Sequence, residues 1–141
     1  ADYEEMLRRS VCVSADVNAA LDPTFPEVHD PRNAARMNCG VCLTKYTGAR
    51  GKGGTNDASA ETLSYVTNVF DDAGVAWQTG ELGKVDQGGG GTIAKFVSNR
   101  NVDTVDIGVP MLSMHAPFEL VAKQDVLMTY RAFLAFATAK Q

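Results

Sequence analysis

Strand-like and helix-like segments alternate along this chain, and that alternation narrows its fold more than any other feature. Residues 11–16, Val-Cys-Val-Ser-Ala-Asp, alternate and are rich in β-branched side chains, as a half-buried strand requires. Residues 41–47, 75–79 and 102–109 read as three more strands. Between the second and third, Leu63, Val66, Phe70 and Ala73 recur at spacings of three and four, the stripe of an amphipathic helix. Thr55, Asn56 and Asp57 offer capping oxygens at its start, and Gly74 ends it. Ile93, Phe96 and Val97 predict a short helix after the glycine run at 88–91. A longer helix is predicted over residues 118–140, with Leu120, Leu127, Tyr130 and Leu134 sharing one face, and a short helical turn over residues 3–9. Helices alternating with strands predict an α/β layer with some parallel pairing.

Residues 17–40 hold Pro23, Pro26 and Pro31 with several Asp and Asn. They read as a long ordered loop, and such loops inside a compact domain are usually functional. No repeat or linker divides the chain, so residues 1–141 are expected to form a single domain.

Composition excludes several classes. Thirteen Lys and Arg against seventeen Asp and Glu give a net charge of −4. With no basic block, the footprint of a nucleic-acid binder is missing. No apolar run reaches the length of a membrane span. Three cysteines, Cys12, Cys39 and Cys42, are an odd count. Reduced thiols in a cytoplasmic protein are the simpler expectation.

Chemistry-bearing residues fall in the connections. Asp16 is expected at the end of the first strand, and His115 just past the fourth, in a strand-to-helix connection. Strand ends are where α/β sheets collect functional groups. Each residue also has a plain reading, Asp16 as a turn cap and His115 as a packed imidazole. Together they supply two of the about four ligands that zinc takes. His29-Asp30 is a further candidate, and no compact zinc motif is present. Glu61, Glu81 and Glu119 show no partner pattern that marks a base. Cys39-Gly40-Val41-Cys42 is a lone pair without a second to complete a site, and Cys42 reads as a small apolar residue. The loop at 48–55 fails the phosphate-loop pattern, because Gly53 follows Lys52. Gly88 to Gly91 with Thr92 would let a backbone approach a ligand closely. Lys45 reads as a solvated edge lysine or, turned into a cleft, as a selector of anionic groups.

Several motifs in order resemble the aspartyl-aminopeptidase family of two-zinc metallopeptidases, closest to its bacterial branch. They are Ser14-Ala15-Asp16-Val17-Asn18-Ala19-Ala20 with Pro23 and Phe25-Pro26-Glu27; Leu43-Thr44-Lys45-Tyr46-Thr47-Gly48; Asp86-Gln87-Gly88-Gly89-Gly90-Gly91-Thr92-Ile93; and Val105-Asp106-Ile107-Gly108 with Leu112-Ser113-Met114-His115. The resemblance covers nearly the whole chain. It implies a partial zinc-exopeptidase sheet with flanking helices, Asp16 and His115 as ligands to different zinc ions, Lys45 in the substrate pocket, and Gly91 and Thr92 beside the substrate. It also implies a peptide substrate, two zinc ions with cobalt or manganese as substitutes, and a homo-oligomer, dodecameric in the family.

Two departures qualify the resemblance. Many members carry a histidine three residues after the ligand Asp, where this chain has Ala19; that puts a preference for acidic N-terminal residues in doubt. The family's first His ligand, bridging Asp and Glu-Glu pair lie upstream of the Ser-Ala-Asp motif, which here begins at residue 14. The chain is therefore expected to be the C-terminal segment of a longer catalytic domain. Alone it is expected to lack activity and to associate through its uncovered surface. The alternatives are a stand-alone anion-binding module built on the glycine turn, or an assembly domain without chemistry.

Overall fold

The computed structural model describes residues 2–48 and 53–139. Lys52 and most of the glycine-rich loop around it lie outside them, as does the end of the last predicted helix. Four helices and five strands are described. They are α1 (Tyr3–Arg8), β1 (Val11–Ala19), β2 (Val41–Thr44), α2 (Ala60–Asp72), β3 (Trp77–Thr79), α3 (Ala94–Ser98), β4 (Asp103–Leu112), β5 (Leu120–Val121) and α4 (Lys123–Thr138), with a 3-10 turn at Pro26–Val28. The sheet runs β1-β4-β2-β3, with β5 also on β4. β1 pairs β4 in parallel, as β2 pairs β3, whereas β2 and β5 run antiparallel to β4.

β4 lies at the centre, between β1 and β2, and its ladder with β1 is the longest, from Val11 opposite Asp103 to Ala19 opposite Met111. Side chains alternate across a strand, so the register gives the sheet two unlike faces. One carries Val13, Val41, Leu43, Val105 and Ile107, which pack with Val66 and Phe70 of α2 and Met128 and Ala132 of α4. Fully burying one such side chain contributes roughly 1.5–3 kcal/mol. The other face carries Ser14, Asp16, Asn18, Cys42, Thr44, Thr104 and Asp106, of which all but Asp16 are buried.

Several boundaries differ from the sequence reading. β1 runs three residues beyond Asp16, because parallel pairing with β4 continues to Ala19. The cap of α2 is Ser59, whose hydroxyl accepts from the Thr62 amide at 3.1 Å. Asn56 instead donates to the Thr104 carbonyl at 2.8 Å. The last helix starts at Lys123, because residues 120 and 121 join the sheet as β5. Its predicted apolar face is the outer one. Leu127, Tyr130 and Leu134 are 40%, 63% and 50% exposed, while Asp125, Met128, Thr129 and Ala132 are buried.

That inversion turns on Asp125. It is fully buried, and its carboxylate accepts from the backbone amides of Asn38 at 2.6 Å and Gly40 at 2.8 Å. The helix is thereby locked to the turn that leads into β2. Gly40 sits there at φ +97°, with space for a Cβ blocked by the Ala76 carbonyl oxygen at 2.1 Å. Both bonds are charge-assisted, the stronger class. Asp125→Ala leaves the buried Gly40 amide and the part-buried Asn38 amide without their acceptor and is expected to cost about 3 kcal/mol, read as a lower urea midpoint at unchanged slope.

Candidate metal and substrate face

Of the sequence-predicted residues, Asp16 stands on the polar face of the sheet. Asp16 lies inside β1, level with Gly108 on β4. Its Oδ1 accepts from the Val17 amide at 2.8 Å, and among the described residues no hydrogen bond reaches Oδ2. The contact with Gly108 is so close that a Cβ there would lie 1.5 Å from the Asp16 carbonyl oxygen. Only glycine lets the two strands meet at this level.

His115 lies beyond the end of β4, in the loop that turns into β5 rather than in a direct strand-to-helix connection. Ser113 and His115 both have positive φ, 59° and 69°, which non-glycine residues adopt at a cost. The loop is held by Glu119, whose Oε1 accepts from the His115 amide at 2.7 Å. This gives Glu119 a part in shaping the site that its sequence context did not reveal. The imidazole is exposed and makes no hydrogen bond among the described residues. Because β1 and β4 are parallel, Asp16 and His115 both lie toward the carboxyl ends of adjacent strands.

Zinc takes carboxylate oxygen and imidazole nitrogen, so these two free donors fit the ion by type. They supply two of the about four it needs. Among the described residues no three His, Cys, Asp or Glu side chains group so as to hold a metal. His29 does not fill the gap. It is 6% exposed beside the 3-10 turn, and burial lowers its pKa, opposed by the charge of Asp22. Cys39 is exposed and Cys42 buried, both with free thiols. Burial, then the charge of Glu81, pushes Cys42 up to about 12, and an inert thiol follows.

Lys45 stands one residue past β2. Its ammonium contacts the Asp57 carboxylate and donates to the Ala58 carbonyl at 3.1 Å. It ties residues 57 and 58 back to the strand, and is half exposed rather than turned freely into a cleft. In the glycine run, Gly89 has φ +126° and Gly88 faces backbone at 3.0 Å, so the turn itself requires those two. Gly91 is exposed, with nothing within 4 Å of a Cβ position, which leaves its backbone open to approach. Thr92 accepts from the Ala94 amide at 3.3 Å, opening α3.

Sequence reasoning missed Asp106 as a separate feature. It is 3% exposed, opposite Ser14 in the ladder, and neither carboxylate oxygen accepts a hydrogen bond of good geometry. The Ser14 hydroxyl is likewise buried and unmatched. Burial raises the Asp106 pKa above the ordinary 3.8; the nearby hydroxyls of Ser14 and Thr92 oppose this, and the charge of Asp16 adds to it. The signal was present in the strand pattern, where Asp106 stands between Val105 and Ile107 in the middle of a strand that is apolar on either side of it.

The ionised form of Asp106 is disfavoured in the fold, so this group works against stability at neutral pH. As pH falls through its raised folded pKa the penalty fades, and it is gone below the unfolded value near 3.8. Asp106→Asn is therefore expected to raise Tm at pH 7. The gain should shrink toward pH 4 when both proteins are melted across that range.

Comparison with known proteins follows from this geometry. The family described as Aminopeptidase I zinc metalloprotease (M18) matches residues 1–137. A probable M18 family aminopeptidase 1 of Thermotoga maritima is 51% identical over 130 residues, covering 92% of this chain and 29% of that protein. The crystal structure of aminopeptidase I from Clostridium acetobutylicum superposes with a TM-score of 0.93 at 42% identity, over 99% of this chain and 30% of that one. A Saccharomyces cerevisiae mApe1 dodecamer shares the fold, with a TM-score of 0.75 at 24% identity over 97% of this chain and 28% of that one. The chain thus spans less than a third of the length of these relatives. On the strength of a match over nearly its entire length, the chain belongs to the M18 family of aminopeptidase I zinc metalloproteases.

Proposed function

We propose that this chain is the C-terminal part of the catalytic domain of a metallo-aminopeptidase, which removes N-terminal residues from peptides with a metal-activated water. The family match supports the chemistry. What supports the site is that Asp16 in β1 and His115 beyond the carboxyl end of the adjacent parallel β4 each keep a side-chain donor atom without a hydrogen bond among the described residues. In this reading Asp16 and His115 each hold one of two zinc ions. Zinc supplies an acidified water and a polarised carbonyl. Gly91 offers open backbone to the peptide, and Thr92 stands beside it. Lys45 lines the pocket once its contact with Asp57 gives way to an anionic group. Ala19, in place of a histidine, argues for a weakened preference for acidic residues. The proton-accepting base and the remaining ligands belong to other parts of the parent chain.

Homo-oligomers fit the outward apolar face of α4, where Leu127, Tyr130 and Leu134 are exposed. No helix among the described residues is long and apolar enough to cross a membrane. Residence in the cytoplasm is part of the proposal.

Two measurements test it. The full-length protein is expected to release amino acids from aminoacyl p-nitroanilides and to lose that activity to a chelator. Asp16→Ala or His115→Ala should lower kcat/KM at least 100-fold and each reduce the bound zinc. The isolated chain is expected to show no turnover with zinc or cobalt above a chelator control. A full-length protein that binds no zinc and hydrolyses no N-terminal residue would sink the reading.

A further inference from the structure

His115 occupies a backbone position that suits another kind of residue. Beyond β4, the Ala116 amide donates to the Ser113 carbonyl at 2.9 Å and closes a four-residue turn. His115 is third in that turn at φ 69°, where glycine or asparagine fits at least cost. Ser113, first in the turn, is left-handed as well, at φ 59°. The ladder pair of Leu112 with Leu120 joins the ends of the loop from outside. Neither that pair nor the turn bond engages the amide of His115. It donates instead to Glu119 Oε1 at 2.7 Å. This N–H lies in the peptide plane between Met114 and His115. By holding it, the carboxylate fixes the plane, and with it the direction in which the imidazole leaves the chain. The bond is charge-assisted, the stronger class, and it offsets the cost of the left-handed backbone.

We propose that Glu119 is a positioning residue for zinc, which holds His115 in its left-handed conformation so that the imidazole is oriented before the ion arrives. The inference rests on the aminopeptidase reading above and deepens it. Glu119 acts through the His115 amide and touches neither ion nor peptide. A ligand residue on an unheld loop samples several backbone conformations, and the ion must then order it on binding, which weakens affinity. Loss of the acceptor therefore falls on zinc affinity. Once zinc saturates the site, the same donors surround the ion and turnover returns.

The test compares Glu119→Gln with Glu119→Leu in the full-length enzyme. Glutamine keeps an acceptor at the same reach, and leucine keeps none. Glu119→Leu is expected to raise the zinc Kd at least tenfold, read by competition with a fluorescent chelator. Glu119→Gln should stay within threefold of the parent. At saturating zinc, kcat of the leucine variant on an aminoacyl p-nitroanilide should lie within threefold of the parent. Amide hydrogen exchange across residues 113–119 of the zinc-free protein is expected to quicken at least tenfold in the leucine variant and to stay near the parent rate in the glutamine variant. A carboxylate that merely steadies an exposed loop predicts faster exchange with the zinc Kd unmoved, and that result overturns the proposal. So does an equal loss of affinity in both variants, because charge rather than the bond to His115 would then be at work. If Glu119→Leu does not fold, Glu119→Ala takes its place with the same expected outcomes. A full-length protein that binds no zinc overturns this inference together with the aminopeptidase reading. One that binds zinc and releases amino acids, with both variants at the parent Kd, overturns this inference alone.

Discussion

The pairing of β1 with β4 is the contact on which the rest of the molecule depends. It is parallel and runs without a break from Val11 to Ala19. At its middle, Gly108 admits the Asp16 carbonyl where any side chain would collide with it. This pairing decides which side chains share a face. Val13, Val105 and Ile107 go to the helices, and Ser14, Asp16 and Asp106 go to the opposite side. A slip of one residue in β4 relative to its neighbours would exchange the faces and drive a carboxylate into the apolar core. The close contact at Gly108 therefore serves both the core and the candidate site.

Burial on the two faces has different consequences. On the helical side it is cohesive, and Asp125 strengthens it by capturing two backbone amides. On the polar side it leaves Ser14, Asn18 and Asp106 with polar atoms that lack partners among the described residues. Native interiors rarely leave buried polar groups unmatched, and the exceptions gather at working sites. The strain in the His115 loop belongs to the same pattern, with two left-handed residues stabilised by one carboxylate from Glu119. Stability built on one side of the sheet thus tolerates unfavourable arrangements on the other.

Much of this was legible before the coordinates. The alternation at residues 11–16, the stripe through Val66 and Phe70, and the stop at Gly74 each rest on local periodicity or backbone freedom, and each survives in the fold. Where the reading failed, a distant partner decided the outcome. The stripe of Leu127, Tyr130 and Leu134 looks like a core face, but Asp125 and Met128 turn α4 the other way by bonding and packing against the segment from residue 38 to β2 and Ala76. Asn56 reads as a helix cap until Thr104 offers it a carbonyl. Lys45 reads as a strand residue facing solvent or a cleft; it is half exposed, and a distant segment adds what the reading lacked, its tie to Asp57 and Ala58.

The amino-acid order alone determined the layer type, the family resemblance and the identities of Asp16, His115, Lys45, Gly91 and Thr92 as candidates. These rest on short motifs whose spacing needs no folding to be read. Tertiary structure decided that β1 and β4, which carry Asp16 and lead to His115, are parallel neighbours, that Glu119 shapes the histidine loop, and that Asp106 lies buried opposite Ser14. These are relations between residues far apart along the chain. Only the register of the sheet fixes them, because it alone sets which side chains stand level and on which face.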